Sequence, residues 1–189
     1  MRHTMTEAQY IDELEIIFKE VNTVIECFYT YIEIYDYATK DRHIYRVLND
    51  DPTFWTITLY SLQTAFFIGL GRIFDNGKDS HSIHKLLTAT VSHSEFFSKE
   101  ALSARKTMGG TKSDWLDTYL TNTFEPQVSD LRHLKKALST HRHIYDASYA
   151  KIRNSVVAHK ILGNNNDVAA LFDKTLISEI EGKRPTDPH

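Results

Sequence analysis

Between residues 7 and 38 the apolar side chains Tyr10, Leu14, Ile17, Val21, Val24, Phe28, Tyr31 and Tyr35 recur at alternating steps of four and three. An α-helix brings such positions to one side, and the pattern holds through about four heptads. It predicts one amphipathic helix of about 30 residues, roughly 45 Å long. The run Phe28-Tyr29-Thr30-Tyr31-Ile32 would suit a strand on propensity alone, but the period overrides it. A core face is the ordinary use of such a stripe; one this long can also serve a partner chain.

Composition points the same way. The chain has 189 residues but only 7 Gly and 4 Pro. Sheet folds spend both on turns, so their scarcity argues for few, long elements, and hence for helices. Hydrophobic residues at 41% and charged residues at 25% exclude wholesale disorder. The length suits one domain across residues 1–189. Cys27 is the single cysteine, which excludes an internal disulfide or a Cys-rich metal module and fits a cytoplasmic chain. The N-terminus carries Glu7, Asp12, Glu13 and Glu15 where a signal peptide would need basic and then apolar runs. The apolar stretch Phe54 to Phe74 is broken by Thr56, Thr58, Ser61, Gln63, Thr64 and Arg72. It reads as a buried helix, and no membrane association is expected.

Punctuation marks the remaining elements. Asp51 and Pro52 start a helix at about 52–74 that is apolar on nearly every face and is expected to be central. Gly69 and Gly71 near its end imply close helix packing, and Asp75-Asn76-Gly77 stops it. Ser80 or Ser82 caps a short helix through Leu87, and residues 94–106 form another. Gly109-Gly110 is the most flexible point, and Ser113 caps a helix that begins at Asp114. Pro126 suits the first turn of a helix with Val128, Leu131, Leu134 and Leu138 on one face. Residues 147–162 and Val168 to Ile180 are helical, and 181–189 is a frayed tail. The expectation is an all-α bundle of about five or six helices.

Charge is uneven. Residues 1–40 hold eight acids and three bases, whereas 130–160 hold seven bases and two acids, with His133, His141, His143 and His159 among them. The overall charge of −3 argues against a uniformly basic nucleic-acid binder. The basic window, however, hints at one polyanion-facing side, set against the plainer reading of a solvated helix face.

Within that window stands Lys151-Ile152-Arg153-Asn154-Ser155-Val156-Val157-Ala158-His159-Lys160. An Arg followed by a polar residue, with a His after five intervening positions, resembles the signature of the HEPN superfamily. The stretch Phe54-Trp55 with Gly69-Leu70-Gly71-Arg72-Ile73-Phe74-Asp75, then Ser82-Ile83-His84-Lys85-Leu86-Leu87, is similar to the AbiU-type abortive-infection branch. The likeness covers about residues 52–180. It implies a compact all-α fold, a metal-independent endoribonuclease without a cofactor, RNA as substrate, a homodimer sharing one cleft, and an antitoxin protein as a possible partner. Some HEPN toxins carry a Tyr two residues after the His, where an antitoxin attaches AMP. Ile161 occupies that position here, which argues against that mode of control.

The residue types suit the chemistry. RNA cleavage by its own 2′-hydroxyl needs a group that moves protons near neutral pH, which imidazole supplies. It also needs cationic donors where charge gathers on phosphorus, which a guanidinium fork supplies. His159 would transfer the proton, Arg153 would hold the scissile phosphate, and Asn154 would orient His159 or a phosphate oxygen. Lys151, Lys160, Arg72 and Tyr149 are candidate substrate-binding residues, Tyr149 by stacking on a base or, more plainly, by packing in the core. On an ideal helix Arg153 and His159 differ by about 240° and 9 Å of rise, so a second chain completing the site fits the split motif. The plainer alternative pairs Arg153 with an acid such as Asp75 and lets His159 cap its helix end. It makes the chain a non-catalytic RNA-binding or protein-interaction module. Arg72 and Asp75, three apart, can pair as a structural clamp. His81 and His84 could share a face toward a metal, but no third ligand is specified, and no metal site is expected. His141 and His143 point to different faces. No Gly-rich phosphate loop, HExxH or GxSxG is present.

Overall fold

The computed structural model describes residues 5–107, 110 and 114–150. Over these residues the chain forms seven α-helices and no strand. They are α1 (Glu7–Lys40), α2 (Arg42–Asp50), α3 (Pro52–Ile73), α4 (Ile83–Ser92), α5 (Lys99–Thr107), α6 (Trp115–Asn122) and α7 (Val128–Ile144). A 3₁₀ turn at Ser94–Phe97 precedes α5, and a π turn at Tyr145–Tyr149 follows α7. The all-α class is as the periodicity implies, but the number exceeds the expected five or six. One addition is α2: nothing but Asp41 separates it from α1, and the Asp41 side chain caps it by accepting the His43 N–H at 2.7 Å. In addition, the span 94–106 divides at Ser98 into the 3₁₀ turn and α5. The helices expected at 147–162 and Val168 to Ile180, the tail at 181–189, Gly109 and the Ser113 cap fall wholly or partly outside the described residues.

Local chemistry accounts for the helix starts. Thr6 and Gln9 form a reciprocal capping box at α1, each side chain accepting the other's backbone N–H, at 2.9 and 3.2 Å. Asp51 accepts the Phe54 N–H at 3.1 Å and Pro52 opens α3, as expected. Ser82 stands at the α4 start, but its hydroxyl makes no capping bond. Asp130 accepts the Gln127 N–H at 2.8 Å at the start of α7, two residues after Pro126.

The described residues sort into two compact units. Among them, one takes 5–19 and those from 74 to 141; the other takes 20–73 and 142–150. In the first, Tyr10, Ile17, Leu86, Leu87, Leu116 and Leu131 are buried. The ring of Tyr10 meets Phe96 and Phe97 at 5.8 and 5.5 Å. Its hydroxyl lies 2.7 Å from Thr90 Oγ1. Thr90 donates its own proton to the Leu86 carbonyl at 2.9 Å, so Tyr10 must be the donor of the pair. Arg105 pairs with Glu7 and donates to the Phe96 carbonyl. Lys85 of α4 donates to the carbonyls of Gly77, Lys78 and Ser80 at 2.6 to 2.7 Å. One ammonium thus fixes the turn that follows Asp75.

In the second unit Val24, Phe28, Phe66, Phe67, Ile73, Tyr145 and Tyr149 are buried. Phe28 meets Phe66 at 5.1 Å. Gly69 makes the close approach of α1 and α3 possible: a Cβ there would stand 2.3 Å from Val24 Cγ2 and 3.3 Å from Glu20 Oε1. The packing role expected of Gly69 is therefore borne out. The expectation that all of α3 is central is not. Phe66, Phe67, Gly69, Gly71 and Ile73 are buried, whereas Phe54, Ile57 and Tyr60 are more than half exposed. No helix among the described residues is long and apolar enough to cross a membrane.

Candidate functional site

The motif residues Lys151, Arg153, Asn154, His159 and Lys160 lie outside the described residues. The segment that leads into them is described, and so are two other predicted site residues, Arg72 and Tyr149.

The leading segment is not plain α-helix. After α7 the backbone widens into the π turn, closed by the Ala150 N–H donating to the Tyr145 carbonyl five residues back. Ala150 keeps helical dihedrals, φ −61° and ψ −36°. A π turn holds one residue more than an α turn and so changes the direction in which the next side chains leave the axis; such turns concentrate at functional sites. Nothing in the sequence announced it, because Tyr145-Asp146-Ala147-Ser148-Tyr149 carries no Gly or Pro. Tyr145 and Tyr149 are 7% and 4% exposed and anchor the turn. The Tyr149 ring stands 6.1 Å from Phe67 of α3, tilted 31°. Arg142 bonds to Asp146 at 3.3 Å, one turn along.

Of the two roles expected of Tyr149, its burial favours packing in the core over stacking on a base. A ring with so little exposed surface offers no open face to a base, and packing against Phe67 is its role here. Arg72 is different: its side chain is 67% exposed. Its guanidinium reaches Glu20 Oε1 at 3.3 Å, where the local spacing had suggested Asp75. The Asp75 carboxylate accepts the Gly77 N–H at 3.0 Å in the turn that ends α3. Glu20 is 52 residues from Arg72, too far for any local pattern to connect them. An exposed pair of this kind contributes about 0–1 kcal/mol. The Arg72 head thus remains open on its solvent side, as a substrate-binding residue requires.

The other histidine candidates resolve simply. His81 Nδ1 lies 2.5 Å from Glu13 Oε2, an ion pair when the imidazole is protonated. Among the described residues no group of three or more His, Cys, Asp or Glu could hold a metal ion. Along α1, burial raises the Tyr31 hydroxyl above the usual tyrosine range, and Tyr35 beside it adds to the shift. Burial and the charge of Glu26 likewise raise the Cys27 thiol. The Glu95 carboxyl is held below the usual range, by its backbone hydrogen bond first and then by His93 at 3.1 Å.

Against this geometry the comparison with protein families is direct. The model of the AbiU2 family of HEPN domains matches residues 8–182. The chain belongs to the AbiU2 family of HEPN domains. The match runs from the first turns of α1 through all seven helices, and its span includes Lys151 to Lys160. No curated protein and no solved structure matches the chain. As an AbiU2 family member the chain is an abortive-infection-type HEPN domain, all-α over its described residues.

Proposed function

We propose that this AbiU2 family chain is a metal-independent endoribonuclease, acting through Arg153, Asn154 and His159 at a cleft shared by two copies in the cytoplasm. The observation that carries the reading is the family match, whose span contains Arg153, followed by Asn154, and His159 with five residues between the Arg and the His. The π turn supports it, because it stands immediately before that segment and is anchored on α3.

In the proposed reaction His159 takes the proton of a ribose 2′-hydroxyl, whose oxygen attacks the adjacent phosphorus. The P–O5′ bond breaks, and the leaving oxygen takes a proton from the imidazolium or from water, which leaves a 2′,3′-cyclic phosphate and a 5′-hydroxyl. Arg153 holds the phosphate oxygens that gain charge, and Asn154 fixes the imidazole or one of those oxygens. Arg72, Lys151 and Lys160 neutralise neighbouring phosphates. An antitoxin protein that masks the cleft completes the reading.

The test is cleavage of a mixed-sequence RNA in EDTA by the purified chain and by His159→Ala, both checked for folding by circular dichroism. The expected result is cyclic-phosphate ends from the first, with the rate reduced by about 10² or more in the second. Equal rates would trace the activity to a contaminant. No cleavage by either chain would favour a non-catalytic binding module.

A further inference from the structure

Some of the described cations are held in ion pairs and others are not. Lys19, Lys40, Arg72, Arg105 and Arg142 each pair with an acid: Glu15, Asp36, Glu20, Glu7 and Asp146. Arg132 and Lys136 of α7 are exposed and form no ion pair among the described residues. They sit four apart, so they project from one side of the helix with about 6 Å of rise between them. His133 and Thr140, also exposed, border them. Lys135 extends the charge sideways, its ammonium donating to Thr88 Oγ1 of α4 at 2.9 Å. The one acid of α7, Asp130, is committed to the Gln127 N–H at the helix start. It also points about 120–160° away from the two cations.

This surface carries charge without an apolar anchor. Leu131 is buried about 100–140° round the helix from the two cations, and the exposed Leu134 lies about 160° from both. Protein partners are gripped mainly by buried aromatic or aliphatic anchors. A polynucleotide needs only a row of cations at steps its phosphates can follow.

Building on the RNA reading above, we propose that the exposed side of α7, Arg132 and Lys136 with Lys135 at its α4 edge, is a ridge that binds the phosphate backbone of single-stranded RNA outside the cleavage motif. Its ligand is the sugar-phosphate chain, without base selectivity. Arg132 and Lys136 each neutralise one phosphate.

The experiment uses the full chain carrying His159→Ala, so that RNA is not consumed. Binding of a fluorescein-labelled mixed-sequence single-stranded RNA is followed by anisotropy across a KCl series. Adding Arg132→Gln and Lys136→Gln weakens binding about tenfold and flattens the plot of log K against log salt by about 1.4, or about 0.7 for each phosphate no longer neutralised. Both residues are exposed, so thermal unfolding should be unchanged, which separates lost binding from lost folding. The control Lys19→Gln with Lys40→Gln removes the same charge elsewhere and leaves binding as it was. The ridge is overturned by an unchanged slope, by an equal loss in the control, by a parent chain that does not bind RNA, or by polyglutamate competing as well as RNA does. The last result would assign the surface to an acidic protein. Failure of the catalytic reading looks different: the chain without His159→Ala cleaves nothing, while ridge-dependent binding persists.

Discussion

At the scale of one residue, the decisive position in the second unit is Gly69. Two effects of a methyl group there oppose each other. Alanine in place of glycine favours a helix by about 1 kcal/mol. Forcing a Cβ to within 2.3 Å of Val24 Cγ2 costs about 1–3 kcal/mol in a packed interior. Val24 is 6% exposed and cannot swing into solvent, so the clash wins. Gly69→Ala should lower stability by up to about 2 kcal/mol, read as a lower urea midpoint at unchanged slope. Val24→Ala should reverse the sign: in that background the clash is gone and Gly69→Ala should stabilise. A raised midpoint for Gly69→Ala in the native background would refute the close approach of α1 and α3. The consequence reaches the candidate site, because Glu20, the partner of Arg72, sits 3.3 Å from the same methyl position.

At the scale of the element, α7 separates what a sequence pattern can and cannot state. The spacing put Val128, Leu131, Leu134 and Leu138 on one side. The structure buries Leu131, half-buries Val128 and Leu138, and leaves Leu134 54% exposed. At 100° per residue Leu134 lies about 60° from Leu131, at the edge of the stripe, where the half-buried Lys135 takes the inner position. Leu131→Ala should therefore cost about 2–4 kcal/mol and Leu134→Ala less than about 0.5 kcal/mol. Thermal or urea unfolding of the two variants decides it, and equal losses would contradict the assigned face. The same geometry explains Leu14 of α1. Tyr10, Ile17, Val24 and Phe28 are buried within about 40° of one another, while Leu14, about 40° beyond Tyr10 on the other side, is 43% exposed. Periodicity thus made α1 and α7 legible because each is long enough to average over such edges, and α3 was legible from Asp51-Pro52 and its apolar run. It missed α2, nine residues long behind a single Asp. It also missed the π turn, which no residue type requires. In the candidate site, the local signature led to the family and to the motif. Arg72's partner Glu20 and the burial of Tyr149 against Phe67 depend on long-range packing that no local spacing encodes.

At the scale of the whole molecule, the proposed chemistry has a stoichiometry that can be tested. Arg153 and His159 are six residues apart, which on a helix directs them about 240° from each other. One chain alone then serves the phosphate and the 2′-hydroxyl poorly, whereas a two-fold pair can place the Arg of one copy beside the His of the other. If so, Arg153→Ala and His159→Ala are each inactive alone but not when mixed. In a mixed dimer one Arg–His pair of the shared cleft receives both substitutions and the other receives neither. Random reassortment makes half the dimers mixed, and each has one intact Arg–His pair of two, so about a quarter of native activity should return. The measurement is RNA cleavage after the two variants are co-expressed under separate tags and the doubly tagged species is isolated; that species should show about half of native activity per dimer. A doubly tagged species with no activity would mean that each chain uses its own Arg153 and His159. The π turn at Tyr145–Tyr149 would then have to supply within one copy what the second copy is proposed to supply.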